Sequence, residues 1–261
     1  MQGKESFMTD DLQRASMWKR ISAYIFDMIL LGIIAVGLAA VLSFLLGYDG
    51  YYNDMNTVRE KYEVQYGVEL GIMESEYLEM TAEEQERWNE ANRAFSYDKD
   101  ALYAYNMIIN LTLIILTFAI LIAYVVMEIV IPLIFGNGQT LGKKIFGIAL
   151  MRTDGIKITN LALVVRTILG KFTIETMVPV LIIIMILLGS IGVVGVIVMG
   201  LILLLQLIVL VSTRTRSAIH DLLAATVAVD MASQRIFESY DAMLEYKKRI
   251  HQEEVAREEY R

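Results

Sequence analysis

Three long stretches of the chain carry almost no charged residues, and this pattern decides the fold class. The stretches lie at residues 21–46, 106–135 and 177–211. A helix of about 20 apolar residues crosses the roughly 30 Å of hydrocarbon in a bilayer, so each of the first two stretches predicts one membrane-spanning helix. The third can hold two short helices if the sequence SIGVVG, at residues 190–195, forms a turn. The pattern therefore predicts an all-α membrane protein with four transmembrane helices.

The polar stretch between the first two predicted spans also has a helical pattern. Thr81 and Glu84 have the spacing of a capping box, and apolar residues recur at helical spacing after them as far as residue 95. Residues 56–66 form a second predicted helix. We therefore expect a small helical insert between the first two spans.

The loop after the second predicted span contains a different signal. Asp154 and Gly155 make a strong two-residue turn signal next to the apolar sequence KIFGIALM, which predicts a short cytoplasmic β-hairpin. The residues that follow, 160–172, have the pattern of an amphipathic helix that lies in the membrane interface. In that position Arg166 and Lys171 are expected to reach towards lipid phosphates.

Acidic and basic residues are separated along the chain, and this separation predicts the orientation. Residues 48–104 hold fourteen acidic residues and five basic ones. Lys and Arg in short loops mark the cytoplasmic side of a membrane. Here such residues flank the predicted spans at Arg14, Lys19, Arg20, Lys143, Lys144, Arg152, Lys157, Arg214 and Arg216. Both termini are therefore expected on the cytoplasmic side of the plasma membrane, with the insert on the extracellular side.

These patterns divide the chain into eight segments. In order, they are a cytoplasmic N-terminus at residues 1–19, the first transmembrane helix at 20–46, the acidic extracellular insert at 47–104, the second transmembrane helix at 105–135, a cytoplasmic hairpin and interfacial helix at 136–175, a transmembrane helical hairpin at 176–212, a membrane-proximal cytoplasmic segment at 213–231 and a charged cytoplasmic helix at 232–261. The insert and the last helix are the two water-exposed segments that a partner can bind.

One carboxylate lies inside the first predicted span. A charged side chain at the centre of such a helix costs about 2.5–3.5 kcal/mol on insertion scales, so Asp27 is expected to face the helix bundle or a wet cavity. Arg20, Tyr24 and Asp27 are spaced by four and three residues and share one helix face. Arg20 lies too far along the helix axis to bond Asp27 easily by itself. A tyrosine, a water molecule or a residue of another helix must therefore complete the polar network.

The pattern of these polar residues resembles a known family. Arg20 lies at the start of the first helix, Asp27 lies within it, and Asp221 lies in the later sequence IHDLLAATVAVD. These residues, together with GQTLGKKIFGIALMRTDG from Gly138 to Gly155, resemble the RDD family of integral membrane proteins.

The resemblance covers residues 17–46 and 105–230 and leaves out the acidic insert and the charged tail. It implies the membrane fold more directly than the activity. Transport of unidentified ligands has been suggested for the family, and cation/proton exchange for some of its members. What the resemblance implies for this chain is a transport role with Arg20, Asp27 and Asp221 at the site.

Two interpretations of that site remain open. In the first, Asp27 binds an ion or a proton, Asp221 is its cytoplasmic neighbour, and Arg20 tunes its pKa. In the second, the three residues only lock helices together, as polar groups in membranes do. Further candidates beside them are Tyr24, Glu128, Arg166 and His220. Of these, Glu128 is expected near the cytoplasmic end of the second span, where its side chain can reach the interface.

Two function hypotheses correspond to these two interpretations of the site. The first is cation/proton exchange. The second is an accessory or regulatory protein that binds another membrane protein, because four short spans make a small bundle for a transporter. The expected partners are the lipid bilayer and either further copies of the chain or a heterologous membrane protein. Basic residues lie beside the spans and not in an aromatic-rich patch, so nucleic-acid binding is not expected.

Enzyme and cofactor functions find no support in the sequence. The segment GQTLGKK resembles a phosphate-binding loop, but that loop requires glycine where Asn137 stands and serine or threonine where Lys144 stands. Its glycines are therefore expected to be turn residues. With two histidines, His220 and His251, and no cysteine, a metal site is not expected either. We expect a protein that is not an enzyme and has no cofactor.

Overall fold

The computed structural model of the protein describes residues 13–187, 189–213 and 218–259. Arg214 and Arg216, which contribute to the predicted orientation, lie outside the described residues. The chain divides into two compact units. One is formed by Ala35–Ala119 and the other by the parts of the chain before and after it.

Helices make up most of the described chain, with two short strands among them. In chain order the elements are α1 (Met17–Leu45), α2 (Tyr48–Tyr66), α3 (Glu74–Glu79), α4 (Ala82–Tyr97), α5 (Lys99–Val125), the π-helical segment π1 (Val126–Val130), α6 (Ile131–Phe135), α7 (Leu141–Ile145), β1 (Ile148–Arg152), α8 (Asn160–Val165), the π-helical segment π2 (Arg166–Met177), α9 (Val178–Leu187), α10 (Gly192–Ser212), α11 (Ile219–Leu223), β2 (Thr226–Asp230) and α12 (Tyr240–Glu259).

Four helical stretches are long and apolar enough to cross a membrane. They are Met17–Leu45, Lys99–Phe135, Asn160–Leu187 and Gly192–Val209. The second joins α5, π1 and α6, and the third joins α8, π2 and α9. The prediction of four apolar spanning helices is confirmed.

The third of these helices begins earlier than the sequence predicted. The expected interfacial helix at 160–172 continues directly into the third spanning helix. Arg166 and Lys171 are only 2% and 8% exposed, so the prediction that they reach lipid phosphates was wrong. Their side chains instead pair with carboxylates of other helices, which amphipathic patterning along one segment does not reveal.

The two strands form an antiparallel sheet, but they are not the predicted hairpin. β1 pairs with β2 from Ile148 opposite Asp230 to Arg152 opposite Thr226. The turn at Asp154 does form, because the Arg152 N–H donates to the Ile156 carbonyl at 2.8 Å. The prediction of a local hairpin was therefore wrong about the partner of β1, which is β2 and not the segment directly after the turn. A full ladder requires a second apolar strand, and the sequence TVAVD after the fourth spanning helix supplies it.

Both faces of the sheet are covered by apolar side chains. One face belongs to a cluster formed by Ala15, Ala23, Ile148, Leu150, Ile158, Leu163 and Ala228. The other face carries Ala149, Met151, Val227 and Val229. Because Ala23 lies on α1 and Leu163 on α8, the sheet fixes the ends of two spanning helices against the loop between β1 and α8.

The insert confirms the predicted helices and their cap. The Thr81 hydroxyl accepts from the Glu84 N–H at 3.4 Å, and the Glu84 carboxylate accepts from the Thr81 N–H at 2.8 Å. α2 ends at Gly67, whose φ of 63° favours glycine. The Trp88 indole N–H donates to the Glu69 carbonyl at 3.0 Å, which ties α4 to the segment after α2.

The charged C-terminal helix starts later than predicted from the sequence at 232–261. α12 begins at residue 240, after Ser239, whose hydroxyl accepts from the Ala242 N–H at 3.2 Å. Met243 is buried beside Gly155. The first turn of α12 is thus held against the turn that follows β1, whereas the helix surface beyond it is mostly exposed.

Candidate functional site

Asp27 caps a short helix from the neighbouring loop. Its side chain is buried on α1, where one carboxylate oxygen accepts from the Gly142 N–H at 2.8 Å and the other accepts from the Thr140 hydroxyl. The Thr140 hydroxyl also accepts from the Lys143 ammonium at 3.2 Å. Asp27 therefore satisfies free N–H and O–H donors at the start of α7, as carboxylates do at helix N-termini.

Gly142 makes this contact possible. A Cβ atom on Gly142 would lie 2.4 Å from the Ala23 carbonyl oxygen and 2.9 Å from the Asp27 Cγ. The expectation that this glycine is a turn residue was wrong, because it permits two backbones to approach. The expectation holds for Gly138, whose φ is +61°.

Glu128 is the centre of a cluster of cations. It lies in π1, and its buried carboxylate contacts Lys171, Arg166 at 3.5 Å and Lys143 at 3.6 Å. Thr167 donates its hydroxyl to the Glu128 carbonyl at 3.2 Å. The expectation that Glu128 reaches the interface was therefore wrong, because three cations hold it inside the protein.

Asp221 lies on α11 and is fully paired. Its carboxylate accepts from Arg166 Nε at 2.9 Å and from the Thr226 hydroxyl at 3.0 Å, and it lies 4.0 Å from Arg20. Burial favours the neutral form, but the Arg166 guanidinium holds the pKa of the Asp221 carboxyl well below its usual range. The structure therefore pairs Arg20 with Asp221.

His220 links α11 to the third spanning helix. Its Nδ1 lies 2.8 Å from both carboxylate oxygens of Glu175, and its backbone N–H donates to the same carboxylate at 3.1 Å. Burial and the nearby Arg166 guanidinium lower the pKa of His220. Gly170 allows this contact, because a Cβ there would lie 2.4 Å from the His220 Cβ.

The charged side chains form one buried charged network with equal numbers of each sign. Its cations are Arg20, Lys143, Arg166 and Lys171, and its carboxylates are Asp27, Glu128, Glu175 and Asp221. Four positive charges thus face four negative ones, since the lowered pKa of His220 keeps its ring neutral. Buried charges require such pairing because removal of one partner is strongly destabilising.

A cavity of about 510 Å³ lies against this network. Among the predicted site residues it is lined by Arg20, Tyr24, Asp27, Arg166, His220 and Asp221. Glu128 lines a smaller cavity of about 30 Å³, which Tyr24 and Asp27 also border. The structure therefore brings all the predicted site residues to one region, although it does not pair Arg20 with Asp27.

Sequence reasoning missed Lys143, Lys171, Glu175 and Thr140 as members of this region. A usable signal exists for three of them. Charged residues inside or beside spanning helices have to find partners, and this applies to Lys143, Lys171 and Glu175 as much as to Asp27. Thr140 carries no comparable signal, because hydroxyl residues are common in loops.

Lys143 belongs to the network but lies outside the four spanning helices. Its side chain can change charge near neutral pH. Burial, helped by Lys171 and Arg166, lowers its pKa to about 8 against the opposing effect of Glu128. Within the described residues, no group of three or more His, Asp or Glu side chains could hold a metal ion. The charged side chains of the site are joined by ion pairs.

Comparison with known proteins gives a family match. The family model described as the RDD family matches residues 14–225. The match spans most of the chain and includes every member of the charged network. No curated protein and no solved structure matches the chain.

Proposed function

Because the chain belongs to the RDD family of membrane proteins, we propose that it is a transport protein that exchanges a cation for a proton across the plasma membrane. In this proposal both termini are cytoplasmic and the acidic insert is extracellular. The protein has no enzymatic activity, needs no cofactor, and works in the lipid bilayer as a homo-oligomer.

The observation that carries the proposal is the balanced charge of the buried network beside a cavity. Ionisable residues in spanning helices are costly and mark ion and proton pathways. Since the four cations and four carboxylates cancel, a cation that enters the cavity leaves one positive charge unbalanced. Loss of one proton from the network restores the balance, and this requirement couples the two movements.

Asp27 is the carboxylate best suited to receive the cation. Glu128 and Asp221 each have a cation within 3.6 Å, and both carboxylate oxygens of Glu175 lie 2.8 Å from His220 Nδ1. In the described part of the chain, Asp27 has only neutral donors, the Thr140 hydroxyl and the Gly142 N–H. Arg20 and Asp221 are assigned to the same cavity, where their pair sets the local charge.

The test is exchange by the purified protein in liposomes. Internal pH is recorded with a trapped dye after sodium, potassium or lithium is added outside. Wild type is expected to show cation-driven pH changes, and Asp27→Asn is expected to abolish them. Asp241→Asn, a change of an exposed carboxylate on α12, is the matched control and keeps the activity. Absence of exchange by wild type with all three cations would refute the proposal.

The accessory or regulatory function is the second candidate, and one observation favours it. The insert exposes apolar side chains in an acidic surface, with Val64 and Leu78 at 84% and 69% exposed. Purification in mild detergent tests this candidate. A stoichiometric heterologous membrane protein supports it, whereas a homo-oligomer alone favours the transport function.

A further inference from the structure

The cavity beside the charged network is larger and more apolar than an ion requires. Its volume of about 510 Å³ lies in the range of about 300–1,000 Å³ that is typical of organic ligands. One wall is aliphatic, with Met17 and Ile21 from α1 and Leu203 and Leu207 from α10. The cavity is therefore shaped for a molecule with a hydrocarbon part.

The aliphatic wall is open to the surroundings of the helices. Its four side chains remain 38–59% exposed, although they line the cavity. Both α1 and α10 are spanning helices, so the medium outside them is lipid. A ligand with an acyl chain can thus enter between α1 and α10 without crossing water.

At the polar end of the cavity, the Arg20 guanidinium has few hydrogen-bond partners. Arg20 lies in the first turn of α1, and a long basic side chain at the end of a spanning helix can reach lipid headgroups. Within the described residues, its one ion-pair partner is Asp221 at 4.0 Å, whereas a guanidinium offers five N–H donors. Tyr24 and Gln206 line the same region and add hydroxyl and amide groups.

Among the cations that line the cavity, Arg20 is the one open to an anion. Arg20, Lys143, Arg166 and Lys171 face it, but only three of the four network carboxylates do. Those three are Asp27, Glu175 and Asp221. The fourth carboxylate, Glu128, pairs with Lys143, Arg166 and Lys171 from outside this cavity. Arg20 is therefore the lining cation that has the longest carboxylate contact, at 4.0 Å.

We infer that this cavity binds one anionic phospholipid, with its headgroup phosphate on Arg20 and an acyl chain between α1 and α10. Arginine suits this role because its planar fork binds phosphate through two parallel hydrogen bonds. A lipid at this place separates the charged network from bulk hydrocarbon. The inference goes beyond the proposed exchange, and a binding measurement tests it whether or not the protein transports ions.

The experiment measures lipid binding to the full-length protein in a neutral detergent by native mass spectrometry. The probes are phosphatidylglycerol, phosphatidylcholine with the same acyl chains, and inorganic phosphate alone. One phosphatidylglycerol is expected to bind, at least about tenfold more tightly than phosphatidylcholine, and phosphate alone is expected not to bind. Equal affinity for the two lipids overturns the inference, and so does equally tight binding of free phosphate.

Two pairs of variants locate the ligand. Arg20→Gln is expected to weaken phosphatidylglycerol binding about tenfold, the equivalent of one charge-assisted hydrogen bond. Lys19→Gln removes a cation one residue away that does not line the cavity, and it should leave binding unchanged. An equal loss in both variants overturns the assignment to Arg20.

The second pair examines the acyl chain and does not depend on the folding of Arg20→Gln. Leu203→Trp fills the aliphatic wall and is expected to abolish specific binding. Leu204→Trp adds the same bulk at a side chain of similar exposure that does not line the cavity, and it should bind normally. Unchanged binding in Leu203→Trp refutes the proposed position of the chain.

Discussion

At the scale of single residues, the contact between Asp27 and Gly142 explains how a carboxylate is tolerated inside a spanning helix. Asp27 accepts hydrogen bonds from a backbone N–H and from the Thr140 hydroxyl, and both donors come from one short loop helix. The carboxylate thereby exchanges water for fixed donors. The absent side chain of Gly142 is what lets those donors come close enough.

Replacement of Gly142 by alanine should therefore destabilise the protein. The added Cβ would lie 2.4 Å from the Ala23 carbonyl, and the forced shift is expected to cost about 1–3 kcal/mol, as overpacking does. Thermal unfolding in detergent measures the effect. Gly32→Ala is the control, because Gly32 lies in α1, the helix that carries Ala23, and nothing lies within 4 Å of its added Cβ. Equal losses in both variants would contradict the close approach.

The low pKa of Lys143 predicts a pH dependence of stability. Its pKa is about 8 in the folded protein and near the ordinary 10.5 in the unfolded chain. Below pH 8 both states carry the proton. The unfavourable burial of the charged ammonium then lowers the free energy of unfolding by its full amount. Between pH 8 and 10.5 only the unfolded chain keeps the proton, so the folded state gains stability as pH rises.

The measurement compares melting temperatures of wild type and Lys143→Met across that pH range. Methionine fills similar space without titrating, so the difference between the two proteins isolates Lys143 from the other groups. The melting temperature of wild type should rise relative to that of Lys143→Met as pH increases from 8 to 10.5. A difference that stays constant with pH would show that Lys143 keeps its ordinary pKa.

At the scale of elements, two strands far apart in the sequence hold the site together. β1 follows α7, whose first turn binds Asp27, and β2 follows α11, which carries Asp221. Their ladder therefore places the two halves of the charged network side by side. The π-helical segments contribute as well, because Glu128 lies in π1 and both Arg166 and Lys171 lie in π2.

The register of the ladder can be tested by cross-linking, since the chain has no cysteine. Ala149 lies opposite Val229, and opposed Cα atoms are about 4.5–5.5 Å apart, which suits a disulfide. Ala149→Cys with Val229→Cys should form a disulfide upon mild oxidation, measured as loss of free thiols. Ala149→Cys with Val227→Cys, a diagonal pair on the same face, should react poorly. Equal reaction of both pairs would indicate another register.

The helices were predictable from the sequence, but most of their contacts were not. Hydropathy and caps act over short distances, so the four spanning helices and the Thr81 cap follow from local pattern. The pairs Glu128 with Lys171 and Asp221 with Arg166 join residues that are far apart in the chain. No local pattern records such pairs, and for the same reason β1 was assigned a neighbouring partner in place of β2.

At the scale of the whole molecule, the even number of spanning helices predicts that the two termini share one side of the membrane. The insert between the first and second spanning helices then faces the other side. The distribution of Lys and Arg assigns the termini to the cytoplasm. This orientation is a prediction from the sequence that labelling can test.

Single cysteines provide that test without background labelling. Glu83 in α4 and Glu245 in α12 are both exposed. The two test variants are Glu83→Cys and Glu245→Cys. A membrane-impermeant maleimide is expected to label Glu83→Cys in intact cells and to label Glu245→Cys only after the membrane is opened. The reverse order would place the termini outside, and labelling of both in intact cells would rule out the even topology.

The pairing of β1 with β2 also sets an order of events during synthesis. β1 leaves the ribosome before the third and fourth spanning helices, whereas its partner strand emerges only after both. The loop that binds Asp27 must therefore wait, with one edge of β1 unpaired, until the last helical hairpin has entered the membrane. A chain that stops before residue 226 therefore leaves β1 without its partner strand.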